Sequence, residues 1–270
     1  MVAQDGTVKL GFIGTGNIAS AVVEGFCTSC PPPRDGLSIL VSPRNAGKAR
    51  DLEARFPQVR RAGSNQEVLD QSGIVLLAVR PAAAPQILAD LRFREDHTVI
   101  SFIPVIPLQT LASLVMPARR VFKALPLPYA AQHLGLLPFF PPDPGIADCL
   151  RPLGEPMPVA DERELHLLWA VTGLISPFYA LMETIQGWCV AGGADPAISK
   201  RYTASMYAAL ASLAEQKTSA SFKALTGEAA TPGGLNEMAL GMIQEGTTLP
   251  DLKRALDAIL DRFGEPPVAG

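Results

Sequence analysis

Short apolar runs alternate with helix-like stretches along the first half of the chain. The runs that read as buried strands are Val8 to Ile13, Leu37 to Val41, Gly73 to Val79, Thr98 to Phe102, Arg120 to Ala124 and Leu134 to Phe139. Between two of them, Ala82 to Leu91 has a helical pattern. Because strands that alternate with helices form parallel sheets covered on both faces, we predict an α/β, doubly wound, mainly parallel sheet.

The second half of the chain has a different pattern. Prolines crowd the region from Leu127 to Pro158, which therefore cannot be one long helix. Asp161 and Glu164 then resemble a capping box that opens a helical run to Ala191, with a bend expected at Pro177. Further helical patterns cover Pro196 to Gln216, Asn236 to Gln244 and Leu249 to Phe263, and no strand pattern follows residue 160. We predict two domains, residues 1–160 and an all-helical 161–270.

A glycine turn joins the first predicted strand to the first helix. After Ile13 the chain reads Gly14-x-Gly16-x-x-Ala19. Gly14 permits the turn, Gly16 lets phosphate oxygens approach the backbone, and the positive end of the helix dipole favours an anion. This arrangement predicts a dinucleotide-binding Rossmann domain, with the pyrophosphate held by Gly14, Gly16, Asn17 and Ile18.

The end of the second predicted strand bears on which dinucleotide is bound. NAD binders place an acidic residue there to hold the ribose hydroxyls, whereas this chain continues Ser42-Pro43-Arg44-Asn45. A hydroxyl, a guanidinium and an amide can hydrogen-bond a 2′-phosphate, and Arg44 has the charge and the fork geometry for it. We expect NADP(H) rather than NAD(H), with Ser42, Arg44 and Asn45 at the phosphate. In the alternative interpretation, Arg44 is a solvated residue at the start of the next helix.

Two later strand ends mark the expected position of the nicotinamide. A cofactor in such a sheet lies along the carboxyl ends of the strands. Ala78, Val79, Arg80 and Pro81 leave one of those ends, and Ile103-Pro104 leaves the next.

Composition excludes several classes of partner. The 270 residues are 48% hydrophobic and 18% charged, with a formal net charge of −3, as in a compact folded protein with no electrostatic reason to bind nucleic acid or an anionic membrane. The longest apolar stretches are interrupted before the length of a membrane span, and the N-terminus lacks a signal pattern. We expect a cytoplasmic protein with no membrane partner.

Cysteine and histidine give no sign of a metal centre. Cys27 and Cys30 form a CxxC, but no second pair and no nearby histidine accompanies it. His97, His133 and His166 share no ligand spacing, so each is expected to be a surface or core residue. We predict no metal site.

A few helices alone cannot bury all of their apolar faces. Met206, Leu210 and Leu213 lie on one face of the longest predicted helix. We therefore expect an obligate homodimer through the helical domain, the alternative being that these helices pack entirely on the first domain.

Motifs spread along the chain resemble the pyrroline-5-carboxylate reductase family. They are GFIGTGNIA at 11–19, Asn65-Gln66-Glu67-Val68, LAVRP at 77–81, SFIPVIPLQTL at 101–111, Ala124-Leu125-Pro126, Ser176-Pro177-x-Tyr179 and Thr231-Pro232-Gly233-Gly234. The resemblance implies an NAD(P)H-dependent reductase that converts a cyclic imine carboxylate to proline, with a Rossmann domain and a helical dimerisation domain. It also places Asn65 at the cofactor.

The same resemblance implies a set of substrate residues. Substrate would contact Pro177 and the turn at 231–236, where Thr231, Gly233, Gly234 and Asn236 would donate hydrogen bonds to its carboxylate or ring nitrogen. The candidate catalytic residues are Asn236, Thr231 and Tyr179, with Tyr179 as a possible proton donor. A protonated imine is already electrophilic, so the protein need supply mainly position and a dry pocket, without a catalytic histidine.

Departures from the family pattern bear on the substrate. Leu127 replaces an asparagine, Leu174 and Phe178 replace small residues, and Leu235-Asn236 replaces two small residues that are often threonines. The expected substrate is therefore pyrroline-5-carboxylate or a related imine.

Three alternatives stay open. They are a reductase of another C=N or C=O compound, a hydroxy-acid type dehydrogenase, and a non-catalytic NADP(H)-binding protein. The dehydrogenase would need a lysine base, and Lys200, the only lysine between residues 124 and 216, is expected to be an exposed residue instead.

Overall fold

A computed structural model describes residues 7–29 and 36–268 of the chain. These residues divide into two compact units. The first extends to Trp169 and includes Arg262–Glu265, and the second comprises Ala170–Asp261 and the residues after Glu265. The division falls inside a helix, Glu162–Val171, and the boundary near residue 160 stays a prediction.

The first unit is built on one eight-stranded sheet. Its strands are β1 (Val8–Ile13), β2 (Leu37–Val41), β3 (Val59–Arg61), β4 (Ile74–Leu77), β5 (Thr98–Ser101), β6 (Arg120–Ala124), β7 (Leu136–Phe140) and β8 (Glu155–Pro158). They lie in the order β3-β2-β1-β4-β5-β6-β7-β8, and every neighbouring pair is parallel except β6 and β7. The predicted doubly wound, mainly parallel sheet is confirmed. The strand order reverses between β1 and β4, which is where such sheets open a crevice for a ligand.

Helices cover both faces of this sheet. They are α1 (Asn17–Thr28), α2 (Ala46–Arg55), α3 (Asn65–Gln71), α4 (Ala84–Ala89), α5 (Leu108–Leu114), α6 (Pro144–Leu150) and α7 (Glu162–Val171). Leu10 and Phe12 of β1 belong to the core on one face, and Ile13 belongs to the core on the other. Because both faces are buried, β4 and the last four residues of β1 are buried continuously rather than at alternate positions.

Two strands and one helix boundary differ from the prediction. The short β3 and β8 were not predicted, because β3 buries only Val59 and β8 contains two prolines. Prolines are tolerated in β8 since it is an edge strand. The helix expected over 82–91 is a 3₁₀ turn, Pro81–Ala83, followed by α4.

In the described residues of the second unit, all regular secondary structure is helical. It contains α8 (Ile175–Ala191), α9 (Pro196–Gln216), α10 (Phe222–Ala229), α11 (Leu235–Glu245) and α12 (Thr248–Asp261). The expected bend at Pro177 is wrong: a 3₁₀ turn at Thr172–Leu174 interrupts the helical run, and Pro177 lies in the first turn of α8, where a missing N–H costs nothing. The short α10 was not predicted.

This helical unit buries little of its own apolar surface. Of its described hydrophobic residues only Ala170 and Leu260 are buried. On α9, Leu210 is 54% exposed and Leu213 is 53% exposed. Trp188 of α8 is 79% exposed.

One helical stretch in the described part of the chain, residues 162–191, is long and apolar enough to cross a membrane by length and composition alone. The sequence pattern had led us to expect no such stretch. Core helices of soluble proteins can have the same length and composition.

Candidate functional site

Parallel strands bring their carboxyl ends to one edge of the sheet, and most predicted cofactor residues follow those ends. The segments that meet this edge are Gly14–Gly16 after β1, Arg44 after β2, Asn65 after β3, Ala78–Pro81 after β4 and Phe102–Pro104 after β5. The sheet topology therefore gathers residues that lie far apart in sequence.

Gly14 makes a turn that no other residue could make without strain. Its φ is +102°, and a Cβ placed on it would come within 2.5 Å of the Ala78 carbonyl oxygen. Its N–H donates to Ser42 Oγ at 2.9 Å, and Thr15 Oγ1 donates to the Ser42 carbonyl at 2.9 Å. The turn is therefore fixed against the ends of β2 and β4.

Gly16 differs from Gly14 in what surrounds it. It is the N-cap of α1, makes no side-chain cap, and a Cβ placed on it would meet nothing within 4 Å. The space in front of it belongs to a cleft of about 210 Å³ lined by Gly16, Asn17, Ile18, Ala19, Ala78, Val79, Arg80 and Phe102. The first unit thus brings Gly16, Asn17 and Ile18 at the start of α1 together with 78–80 after β4 around one cleft.

Cations flank the glycine turn where an NAD binder has an acid. Arg44 is exposed and forms no hydrogen bond or ion pair with the described residues. Lys48, on α2, donates through Nζ to Asn17 Oδ1 at the start of α1. Lys48 was not among the predicted residues, although its position one helical turn beyond Arg44 could have indicated it.

Ser42 requires a correction. Its side chain was expected at the 2′-phosphate, but the residue is 1% exposed, and its hydroxyl accepts the Gly14 N–H and lies 3.2 Å from Thr15 Oγ1. Ser42 therefore stabilises the turn by hydrogen bonds with Gly14 and Thr15. Pairing of β2 with β1 buries it, which a single sequence does not show.

The other predicted cofactor residues occupy helix starts. Asn45 caps α2 by accepting the Lys48 N–H at 3.4 Å. Asn65 is the first residue of α3, and Pro81 begins the 3₁₀ turn after β4.

The predicted substrate loop lies in the second unit. Gly234 is the N-cap of α11, Gly233 has φ of +72°, and the Gly234 N–H donates to the Thr231 carbonyl at 2.8 Å. The amide of Asn236 donates to the Ala229 carbonyl at 3.1 Å, so it now stabilises the turn itself.

Glu237 changes the electrostatics of that loop. Its carboxylate accepts the Gly233 N–H at 2.7 Å, a donor that we had expected to serve a substrate carboxylate. The acid lies one residue beyond the quoted motif, so the resemblance did not indicate it.

Pro177 and Tyr179 lie on α8, apart in sequence from the loop, and Tyr179 is 65% exposed with its ring near that of Phe178. Lys200, the candidate base of the alternative dehydrogenase, is an exposed residue, the fifth of α9.

A buried ion network in the first unit was missed by the sequence analysis. Lys123, on β6, is 0% exposed, and its Nζ lies 2.8 Å from Glu162 Oε1, 3.0 Å from the Pro104 carbonyl oxygen and 3.1 Å from His166 Nε2. His166 Nδ1 lies 3.0 Å from Glu265 Oε1, and Arg163 donates to the same carboxylate at 2.6 Å. A lysine inside the apolar strand Arg120–Ala124 was the available signal.

The charges in this network follow from its hydrogen bonds. Burial raises the pKa of Glu162, but hydrogen bonds from His166 and Lys123 outweigh burial and hold that pKa at about 2. Burial lowers the pKa of Lys123, opposed by the hydrogen bond and the charge of Glu162. We take Glu162 as ionised at neutral pH, because three donors reach its Oε1.

The remaining histidines have structural roles, as the sequence analysis expected. His97 is fully buried, accepts the Arg94 N–H through Nδ1 at 3.0 Å and contacts the Leu69 carbonyl through Nε2. His133 lies between the Pro152 carbonyl and Thr28 Oγ1.

The CxxC is only partly described. Cys30 lies outside the described residues, while burial and the nearby Glu24 raise the pKa of the Cys27 thiol to about 12. Cys27 is therefore a neutral thiol at physiological pH.

Two family models match the two parts of the chain. "NADP oxidoreductase coenzyme F420-dependent" matches residues 9–104, and "Pyrroline-5-carboxylate reductase dimerisation" matches residues 162–265. Pyrroline-5-carboxylate reductase 3 of Danio rerio is 29% identical over 126 residues, which is 44% of this chain and 41% of that protein. The chain thus spans less than half the length of that relative in the match.

Longer similarities extend over nearly the whole chain. Pyrroline-5-carboxylate reductase of Escherichia coli is 26% identical over 248 residues, 88% of this chain and 90% of that protein. The reductase structure from Streptococcus pyogenes has a TM-score of 0.82 at 20% identity, covering 96% of this chain and 99% of that one. The Plasmodium falciparum enzyme, solved with NADP bound, has a TM-score of 0.80 at 17% identity, covering 95% and 97%.

The solved structures show the fold at these identities. Residues 162–265 match the pyrroline-5-carboxylate reductase dimerisation family, and over nearly its whole length the chain is similar to pyrroline-5-carboxylate reductases, which supports a divergent member of that family.

Proposed function

We propose that the first unit binds NADP(H), with the pyrophosphate at the start of α1. The observation that carries this proposal is the contrast between the two glycines: Gly14 is required by the fold, while the space in front of Gly16 is open and belongs to the cleft. A Cβ at Gly16 would enter the space that a pyrophosphate needs, so the residues fit the cofactor.

The charges favour the 2′-phosphorylated dinucleotide. The residues proposed to hold the cofactor are Gly14, Gly16, Asn17, Ile18, Arg44, Asn45, Asn65, Ala78, Val79, Arg80 and Pro81, joined by Lys48. Arg44 and Lys48 lie beyond β2 where a carboxylate would select NAD. Calorimetric titration with NADPH and NADH tests this directly, and failure to bind either nucleotide would end the proposal.

We propose further that the protein reduces a cyclic imine, namely pyrroline-5-carboxylate or a related compound. The bound cofactor supplies a hydride, and this chain supplies position and hydrogen-bond donors. Thr231 Oγ1 makes no hydrogen bond with the described residues and is the free donor in the α11 turn. Asn236 is proposed to exchange its bond to the Ala229 carbonyl for a bond to substrate, with Gly233 and Gly234 shaping the turn. Pro177 and Tyr179 are proposed as further substrate contacts.

One observation favours a second candidate substrate. The Glu237 carboxylate already occupies the Gly233 N–H, so a substrate carboxylate at this turn must displace a negative charge. An uncharged imine, or a related carbonyl compound, meets no such competition. The apolar replacements at Leu174 and Phe178 also favour an uncharged substrate.

The substrate class is tested by a panel of imines. Purified protein is mixed with NADPH and either pyrroline-5-carboxylate or the uncharged 1-pyrroline, and loss of reduced cofactor is followed by absorbance. Turnover of the first supports proline synthesis, and preference for the second supports the alternative. NADPH binding without turnover of any imine would contradict both and leave a nucleotide-binding protein.

We propose that the helical unit forms a cytoplasmic homodimer. Its near absence of buried apolar residues and the match to a dimerisation domain support this proposal. Sedimentation velocity should show a dimer, and Leu210→Glu should shift the protein towards monomer because a charge would enter an apolar interface. A monomeric wild-type mass, or recovery only in the membrane fraction, would contradict it.

A further inference from the structure

One ion pair holds the loop that leads from β5 to α5 at two points. Within the loop, the Pro104 carbonyl accepts a hydrogen bond from Lys123 Nζ at 3.0 Å. At its end, the Leu108 N–H donates to Glu162 Oε1 at 2.8 Å. Lys123 and Glu162 are themselves 2.8 Å apart, so the position of the loop depends on this pair.

Three polar atoms lie within hydrogen-bond distance of the Lys123 ammonium group. The Pro104 carbonyl oxygen and Glu162 Oε1 accept from it, and His166 Nε2 lies 3.1 Å away. His166 is itself held between two carboxylates, with Nε2 3.5 Å from Glu162 Oε1 and Nδ1 3.0 Å from Glu265 Oε1. The orientation of Lys123 is thus fixed by a second layer of residues.

Such a network is a poor means of stabilising a core. Leu125, Leu165, Trp169 and Phe263 pack together in the same part of the first unit, and Lys123 Nζ lies 5.5 Å from the Trp169 ring centroid. Apolar residues of similar volume often replace buried ion pairs without loss of stability. A requirement for the polar contact with the loop therefore explains this lysine better than core packing does.

The loop begins at the cofactor cleft. Phe102, the first residue after β5, lines that cleft together with Val79 and Arg80. The pyrophosphate is proposed at α1 and the 2′-phosphate beyond β2, so the rest of the dinucleotide extends the other way, over β4 and β5. The segment Phe102–Pro104 then supports the nicotinamide.

We propose that Lys123 is a positioning residue for the nicotinamide half of the cofactor, acting through the Pro104 carbonyl with Glu162 and His166 fixing its direction. This inference rests on the proposed NADP(H) function. It assigns Lys123 no contact with the cofactor.

Two ligands separate the nicotinamide from the rest of the molecule. NADPH contains the nicotinamide, whereas adenosine 2′,5′-bisphosphate carries the adenosine with its 2′- and 5′-phosphates and no nicotinamide. Calorimetry is carried out with both ligands on wild type, Lys123→Met, Lys123→Arg and Glu162→Gln. Arg120→Met is the matched control, since Arg120 is a cation at the opposite end of the same strand, paired with Asp143.

Lys123→Met should weaken NADPH about tenfold and leave adenosine 2′,5′-bisphosphate within about twofold, because only the nicotinamide half loses its support. Turnover should fall through kcat, by about tenfold to a hundredfold for a misplaced ring. Lys123→Arg should recover part of the lost NADPH affinity, and Arg120→Met should change the affinity for neither ligand.

The outcomes that overturn the inference are distinct from those that end the proposed function. Wild type that binds no NADPH ends the proposed function. Wild type that binds NADPH, with Lys123→Met keeping the wild-type ratio of the two affinities, overturns this inference alone, as does an equal change in Arg120→Met. Should Lys123→Met fail to fold, Glu162→Gln is used in its place, because it keeps the lysine and an acceptor for the Leu108 N–H. A wild-type ratio of the two ligand affinities in Glu162→Gln would then overturn the inference.

Discussion

Lowering the pH should weaken the first unit through Glu162, and Glu162→Gln should remove that dependence. The pKa of Glu162 is held at about 2 against an ordinary value of 4.5. At about 1.4 kcal/mol for each pKa unit, the difference is worth about 3 kcal/mol. Because the pKa is lowered in the folded state, this contribution is complete above pH 4.5 and is lost as the pH falls towards 2.

The assay is urea unfolding followed by tryptophan fluorescence at fixed protein concentration, since Trp169 packs in the same cluster. At pH 7 the variant should be less stable by about 3 kcal/mol or more, because Lys123 stays buried with a weaker partner. The two proteins should converge near pH 2. Glu95→Gln is the control: Glu95 pairs with Arg119 at the surface, where such a pair is worth at most about 1 kcal/mol. Parallel pH profiles for wild type and Glu162→Gln would refute the reasoning.

Three further substitutions test the proposed sites. Gly16→Val should abolish NADPH binding in calorimetry while thermal unfolding stays near wild type, and Gly73→Val, which also points into open space, should keep binding. Arg44→Ala should weaken NADPH by about tenfold to a hundredfold with NADH nearly unchanged, and equal losses for both would count against a 2′-phosphate contact. Asn236→Ala should lower kcat with the preferred imine and spare NADPH affinity, whereas Gln244→Ala near the other end of α11 should do neither; a silent Asn236→Ala would show the donor to be misplaced.

Local rules predicted the glycine turn and the long strands. Gly14 and Gly16 could be assigned from spacing because the turn, the strand before it and the helix after it are all encoded within a few residues. The apolar runs of β1 and β4 indicated their burial on both faces for the same reason. The edge strand β8 could not be found this way, since its prolines contradict the strand pattern and only its neighbour β7 explains them.

Roles that depend on distant partners could not be predicted. The Ser42 hydroxyl was assigned to a phosphate, but pairing of β2 with β1 directs it to Gly14. Lys123 meets Glu162 across 39 positions of sequence, so its environment could not be inferred from the strand that carries it. Glu237 reaches only as far as Gly233, yet its effect depends on the fold of a turn that the motif alone does not specify.

The shortage of buried apolar side chains in the helical unit has a consequence for how this protein is handled. With Ala170 and Leu260 as the only fully sheltered hydrophobic residues among those described there, most of the free energy that orders the five helices must come from association in the proposed homodimer. Folding and assembly are then a single equilibrium in which protomer concentration is a variable. Dilution alone should unfold the helical unit. A substitution on an interface helix far from the active site should lower activity at low enzyme concentration, and concentrating the protein should restore it.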